Sequence, residues 1–248
     1  MTLVLNQIIL GDCLEVMKQI PDKSIDLVLT DPPYGTTACE WDKVVSFDEL
    51  WKEIKRVTRN ESSIMTASQP FTTDLINSNR KNFKYELIWE KEQGTNQFMK
   101  DIMPLKIHEN ILIFAKEKMD YLPQKEKSNR IINKRKGVLD KITNSDLKDY
   151  YYDNKGLNYP TSILFAKREL SANTRFHPTQ KPVSLWKYLI KTYSKEGQTI
   201  LDPFAGSGTT AIACHELKRN FICIEKEPAY VEISQKRLEE AKMQLNLF

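Results

Sequence analysis

Thr199-Ile200-Leu201-Asp202-Pro203-Phe204-Ala205-Gly206-Ser207-Gly208-Thr209-Thr210-Ala211 carries the architecture of this chain. The apolar, β-branched Thr199-Ile200-Leu201 reads as a buried strand, and the residues from Asp202 to Thr210 turn out of it into a helix over Ala211 to Leu217. Phe221-Ile222-Cys223-Ile224 is the next strand, ending at Glu225, and a last amphipathic helix runs from about Ala229 to Met243. Gly206 to Ala211 fits G-x-G-x-x-A between strand and helix, with acidic Glu225 about twenty positions on, a pattern that binds a nucleoside-type cofactor. As a bare string the same glycines also suit a structural turn. A nicotinamide dinucleotide fits as well as S-adenosylmethionine, whereas a Walker loop is disfavoured because no Lys follows the second glycine.

Upstream, strand and helix alternate in the same way. Gln7-Ile8-Ile9-Leu10 is a short apolar run ending at Gly11-Asp12, and Cys13 to Ile20 has helical spacing stopped by Pro21. Asp12 fits two readings, a ligand contact at a strand's carboxyl end or a cap for that helix. Helices are expected over Phe47 to Val57 and Thr72 to Asn79, and a strand over Ser62 to Ala67. Tyr85 to Trp89 and Asn110 to Phe114 are strand-like, separated by a polar loop containing Gly94 and Asn96. His177-Pro178-Thr179-Gln180-Lys181-Pro182 leads into a helix over Val183 to Tyr193. The expected class is α/β, a doubly wound, mostly parallel sheet with helices on its faces.

A second stretch carries chemistry. Ile25-Asp26-Leu27-Val28-Leu29-Thr30 reads as a buried strand that must end near Asp31, because Pro32 and Pro33 can neither continue it nor sit inside a helix. The Asp31 carboxylate and the Pro32 carbonyl are then acceptors in a rigid turn, Tyr34 is a flat stacking face, and Gly35 lets the backbone turn sharply. Such a set could grip the exocyclic amine of a nucleobase, and a plain turn after a strand is the simpler alternative. The amine of adenine or cytosine is a poor nucleophile, since its lone pair is delocalised into the ring. Two acceptors that draw its hydrogens out of plane return that pair to nitrogen and aim it.

Composition sets the outer bounds. The 248 residues, 40% hydrophobic and 28% charged, suit a soluble protein of one large α/β domain or of one domain with a substantial insertion, and no apolar stretch reaches membrane-spanning length. The opening Met1 to Leu5 lacks a basic flank and a cleavage site, so no signal peptide is read and a cytoplasmic setting is expected. Cys13, Cys39, Cys214 and Cys223 form no C-x-x-C, and His108, His177 and His215 are scattered, so neither a metal nor a disulfide is expected. From Lys116 to Lys155 the chain turns polar and basic. Eleven Lys or Arg stand there against seven Asp or Glu, a surplus equal to the formal charge of +4 for the whole chain. Arg130 and Lys134-Arg135-Lys136 are its dense part, with Tyr150-Tyr151-Tyr152 nearby. Basic side chains interleaved with aromatics suit a phosphate backbone and unstacked bases, although a solvated loop has the same composition.

An amine grip ending one strand and a nucleoside-cofactor loop ending another belong on the same edge of a doubly wound sheet, and methyl transfer to nitrogen joins them chemically. No hydride acceptor is evident, and no Pro-Cys nucleophile of the kind used on a cytosine ring carbon is present. At this point the chain resembles the amino-methylating DNA methyltransferases of the β class over nearly its whole length. Gly11-Asp12-Cys13 matches the family's amino-terminal cofactor motif, Asp31 to Tyr34 its catalytic motif, His177 to Pro182 the motif before the cofactor loop, Asp202 to Gly208 that loop, and Glu225 the ribose contact.

The resemblance implies a Rossmann-like fold with catalytic residues Asp31, Pro32, Pro33 and Tyr34. It implies an S-adenosylmethionine site at Asp12, Cys13, Asp31, Thr179, Lys181, Asp202, Phe204, Ala205, Gly206, Ser207, Gly208 and Glu225, with Thr179 and Lys181 near the methionine part. The catalytic domain would comprise residues 1–115 and 173–248, and residues 116–172 would recognise double-stranded DNA through Arg130, Lys134, Arg135 and Lys136. The target base would flip out of the duplex. The Asp form of the catalytic motif is commoner among adenine N6 enzymes in this family, so adenine is expected. Cytosine N4 methylation, an RNA or protein amide substrate, and a DNA-binding module without catalysis are the rivals. A homodimer and a cognate restriction endonuclease are left open.

Overall fold

The computed structural model describes residues 4–36, 42–128, 135–137, 150–152, 155–168 and 180–245, with the backbone alone described for 135–137, 150–152 and residue 245. In chain order the elements are β1 (Gln7–Leu10), α1 (Cys13–Met17), β2 (Leu27–Thr30), α2 (Phe47–Val57), β3 (Ser63–Ala67), α3 (Phe71–Ser78), β4 (Phe83–Thr95), β5 (Lys106–Phe114), β6 (Glu126–Lys127), β7 (Arg135–Gly137), β8 (Tyr150–Tyr152), β9 (Leu157–Asn158), β10 (Ile163–Phe165), α4 (Val183–Tyr193), β11 (Thr199–Asp202), α5 (Thr209–Glu216), β12 (Asn220–Glu225) and α6 (Pro228–Leu245).

Eight strands form one sheet in the order β1-β12-β11-β2-β3-β5-β4-β10. β5 is its antiparallel member, paired in that sense with β3 and β4, and the other pairings are parallel. This is the expected doubly wound α/β sheet. Alternation along β2 shows why both faces must be covered. Leu27 and Leu29 pack into a core with Leu189 of α4, Ala213 of α5 and Leu238 of α6, whereas Val28 packs into a second core with Met17 of α1, Ile54 of α2 and Leu75 of α3. A strand buried on both faces reads as a continuous apolar run, which is how β2, β3, β11 and β12 stand out in the sequence.

The β4–β5 hairpin is longer than its apolar runs suggest. Pairing continues from Ile88↔Asn110 through Glu90↔His108 to Thr95↔Lys106, so polar residues of the expected loop are strand. Residues 123–161 form a second compact unit, separate from residues 1–122 and 162–248. Within it β6 pairs with β9 and β7 with β8, both antiparallel. Among the described residues no helix is long and apolar enough to cross a membrane.

Candidate active site

The parallel strands β1, β2, β11 and β12 deliver their carboxyl ends to one cavity. Asp31, Pro32, Pro33 and Tyr34, which follow β2, all line it. So do Asp12 and Cys13 after β1, Asp202 closing β11 with Phe204, Ala205, Gly206 and Ser207 after it, Glu225 closing β12, and Lys181 before α4. Thr179 lies outside the described residues, as do Arg130 and Lys134. Arg135 and Lys136 sit on β7, opposite Tyr152 and Tyr151.

The turn after β2 is held by a residue that its own string does not contain. Asp42, buried, accepts backbone hydrogen bonds from Tyr34 (2.7 Å), Gly35 (2.9 Å) and Thr36 (2.9 Å). Three convergent N–H groups on one carboxylate fix the path that places Asp31 and Tyr34. The Tyr34 ring stacks on Phe71 with centroids 5.1 Å apart. Its hydroxyl donates to Asp31 Oδ1 at 2.8 Å. Burial, together with the Asp31 and Glu109 charges, pushes the Tyr34 pKa well up, so the hydroxyl stays a donor.

Asp31 is ringed by donors. Tyr34 and the Thr66 hydroxyl both reach Oδ1, and Lys181 Nζ donates to Oδ2 at 2.5 Å. An ionised carboxylate offers about four lone-pair sites, so these three donors leave one, on Oδ2. The Pro32 carbonyl receives no hydrogen bond from the described residues. Two acceptors therefore stand open beside each other, the number needed to hold two amine hydrogens.

Lys181 is itself shared. Its Nζ lies 3.3 Å from Glu109 Oε2, and Glu109 Oε1 takes Lys91 Nζ at 2.5 Å. Burial disfavours the Lys181 ammonium, but Asp31 and Glu109 outweigh it and its pKa is raised. Burial likewise works against the Glu109 carboxylate, and Lys181 and Lys91 outweigh it, so its pKa is lowered. Lys181 and Glu109 are thus both held charged.

On the cofactor side, Gly206 has φ +52°, and a Cβ there would meet nothing within 4 Å. The loop thus bares its backbone to the cavity. Glu225 Oε2 accepts from Gly206 N (2.8 Å) and Oε1 from Glu227 N (2.9 Å), which leaves each oxygen a lone pair for a hydroxyl. These residues fit an adenosine-type ligand: open loop backbone, a carboxylate for ribose oxygens, and Phe204 and Tyr230 as flat neighbours on the cavity wall. Gly208 is off that wall. A Cβ on it would come within 2.6 Å of Ser234 Cβ, so glycine is required there to let the loop lie against α6.

Asp202 supports the loop from beneath. Its Oδ1 accepts from Thr30 (2.5 Å) and Phe204 N (3.1 Å), its Oδ2 from Thr210, and burial pushes its carboxyl up to about 6. Asp12 Oδ1 accepts from Leu14 N (2.9 Å) and Glu15 N (3.2 Å), so it caps α1 while also facing the cavity. Burial, then the neighbouring Asp12 charge, pushes the Cys13 thiol up to about 12, which leaves it a neutral wall group.

Sequence reasoning did not single out Asp42, Thr66, Lys91, Glu109, Gln180 or Arg237. The last two brace the cofactor loop: Ser207 Oγ donates to Gln180 Oε1 (3.1 Å), and Arg237 donates to the Ser207 carbonyl (2.6 Å).

The DNA methylase family that joins N6 and N4 enzymes matches residues 25–236 of the chain. The Type II methyltransferase M.HinfI of Haemophilus influenzae is 30% identical, over 96% of this chain and 69% of that protein. The DNA adenine methyltransferase YhdJ of Escherichia coli K12 is 29% identical over 94% and 83%. Among solved structures, M1.HpyAVI in complex with SAM superposes with a TM-score of 0.64 at 23% identity, covering 94% of this chain and 98% of that one. The cytosine-N4-specific PvuII DNA methyltransferase gives 0.68 at 17%, covering 99% and 93%. The last two establish the common fold, and the family match, spanning both halves of the cavity, establishes the membership: this chain belongs to the N6/N4 DNA methylase family.

Proposed function

We propose that the chain is a site-specific adenine N6 DNA methyltransferase in which Asp31, Pro32 and Tyr34 act on the target amine. The observation that carries this reading is the pairing of open acceptors at Asp31 Oδ2 and the Pro32 carbonyl, in the same cavity as the bared Gly206 backbone and Glu225. Bound S-adenosylmethionine supplies an electrophilic methyl on a sulfonium. Glu225 and the loop from Phe204 to Ser207 hold its nucleoside, with Asp12 and Cys13 on the wall. Asp31 Oδ2 and the Pro32 carbonyl take the two amine hydrogens, which moves the lone pair onto nitrogen, and Asp31 receives the proton that the nitrogen sheds. The exposed part of the Tyr34 ring, which also stacks on Phe71 and has Lys181 Nζ 5.7 Å from its centroid, offers the flipped base a stacking surface.

Adenine is favoured over cytosine by the Asp that heads the motif and by the adenine-specific relative YhdJ. Residues 116–172, with Arg130, Lys134, Arg135 and Lys136, are assigned to recognition of duplex DNA on their basic, aromatic composition. The Type II names among the relatives support a place beside a cognate restriction endonuclease, and a cytoplasmic setting belongs to the same reading. The direct test is Asp31→Ala. Methyl transfer should be abolished with cofactor affinity largely kept, and retained methylation would contradict the role given to Asp31.

A further inference from the structure

Beneath the amine-binding turn runs a chain of four charges: Lys91, Glu109, Lys181 and Asp31. The successive contacts are 2.5, 3.3 and 2.5 Å, and Lys91 and Lys181 are only 6% and 5% exposed. It crosses the sheet's carboxyl edge. Trp89 and Glu109 are register partners on β4 and β5, and Lys91, two residues past Trp89, reaches the same carboxylate from the diagonal position. Glu109 then faces Lys181, which faces Asp31. For stability alone such an arrangement is a poor choice, since buried ion pairs are commonly replaced by apolar groups at no loss. Its far end, however, is the carboxylate that would meet the substrate.

Geometry gives each member a task. Lys181 Nζ occupies one lone pair of Asp31 Oδ2 and so settles in which direction the other points. A lysine ammonium on a four-carbon stem swings freely unless its hydrogens are engaged. Glu109 Oε2 holds it by charge across 3.3 Å, an ion pair without hydrogen-bond geometry, and among the described residues that buried oxygen makes no hydrogen bond that would draw it elsewhere. Lys91 fixes the opposite oxygen of that carboxylate. Lys91 also lies 5.2 Å from the centroid of the buried Trp89 ring, whose Nε1 donates to the Ala166 carbonyl at 2.9 Å. The chain of charges is thus anchored in the core at one end.

We propose that Glu109 and Lys91 are positioning residues of the methyl transfer, holding the Lys181 ammonium in place so that Asp31 presents its free Oδ2 lone pair to the amine. This rests on the methyltransferase reading above. Neither residue touches the substrate in this account; both act through Lys181.

A double-mutant cycle tests it on the full-length protein with unmethylated duplex DNA. Glu109→Gln should lower kcat by about ten- to a hundredfold, the cost of misplacing a reacting group by a fraction of an ångström, while the KM for S-adenosylmethionine moves by less than about threefold. In a Lys181→Gln background the same substitution should cost almost nothing more, because the ammonium through which it acts is gone. Should Glu109→Gln fold poorly, Lys91→Met/Glu109→Gln removes one charge of each sign and restores the melting temperature; its kcat should stay low. Losses that add in the cycle, or a double variant with wild-type kcat, would overturn the inference and leave the methyltransferase reading standing. A wild-type protein that transfers no methyl would overturn both.

Discussion

Lys181 Nζ lies 2.5 Å from Asp31 Oδ2, although the two residues are 150 positions apart in the chain. The motif before α4 and the motif after β2 thus meet in one ion pair. Lys181→Met should leave two partly buried carboxylates, Asp31 and Glu109, without the cation between them, Glu109 keeping Lys91 on its other oxygen. Losing one partner of such a pair costs about 3 kcal/mol or more in folding stability. Denaturant unfolding should show that loss, and kcat should fall about a hundredfold; an unchanged kcat would remove Lys181 from the account.

Asp42→Ala strips the acceptor from three backbone N–H groups at Tyr34, Gly35 and Thr36. A cost of about 2 to 3 kcal/mol follows for donors left unsatisfied, and transfer should fall with the loss of the turn. Glu225 and Gly206 are bonded to each other elsewhere on the cavity wall. Cofactor affinity, measured by calorimetry, should therefore stay within about twofold of wild type, as for independent sites.

Glu225→Ala should do the reverse. It removes the acceptor for Gly206 N and Glu227 N and the carboxylate offered to the ribose. Hydrogen bonds to a charged group contribute roughly 1.5 to 3 kcal/mol, so the dissociation constant for S-adenosylmethionine should rise about ten- to a hundredfold. Unaltered cofactor affinity would place the nucleoside elsewhere.

Asp202 gives a pH signature. Burial raises its folded pKa to about 6, above an unfolded value of about 3.9. The folded state therefore holds this proton more tightly than the unfolded one. The contribution is fully present below about pH 4 and is lost as pH rises through about 6, a change of about 3 kcal/mol. Asp202→Asn has no such titration. Measured at pH 4, 5, 6 and 7, the stability of wild type relative to the variant should decline by that order, and parallel profiles would contradict the shift.

Neutralising Lys134, Arg135 and Lys136 should weaken duplex binding and reduce the slope of log affinity against log salt by about 0.9 for each phosphate left without its cation. An unchanged slope would take these three residues out of DNA recognition.

Much of the fold was legible because a strand buried on both faces is written as an unbroken apolar run. Leu27-Val28-Leu29-Thr30 and Phe221-Ile222-Cys223-Ile224 announce themselves, and the proline pair after β2 marks where the strand must stop. Helices α2 and α4 occupy the expected spans, Phe47–Val57 and Val183–Tyr193. The outer half of β4 was not legible, because Glu90 to Thr95 looks like loop and becomes strand only through the pairings Glu90↔His108 and Thr95↔Lys106 with β5, across an interrupted register. In the site, residues that touch a ligand cluster in short motifs, whereas those that brace the motifs do not. Glu109 stands 72 positions before Lys181, and Arg237 stands 30 after Ser207. Such partners are brought together by topology, and the local string around Glu109, His108-Glu109-Asn110, gives no hint of a buried charge.

The central claim is tested most directly by incubating the protein with unmethylated duplex DNA and isotope-labelled S-adenosylmethionine, then analysing the nucleosides by mass spectrometry. Label in N6-methyladenine is the expected result. Label in N4-methylcytosine would keep the chemistry at Asp31 and change the base, and DNA without label would contradict the account.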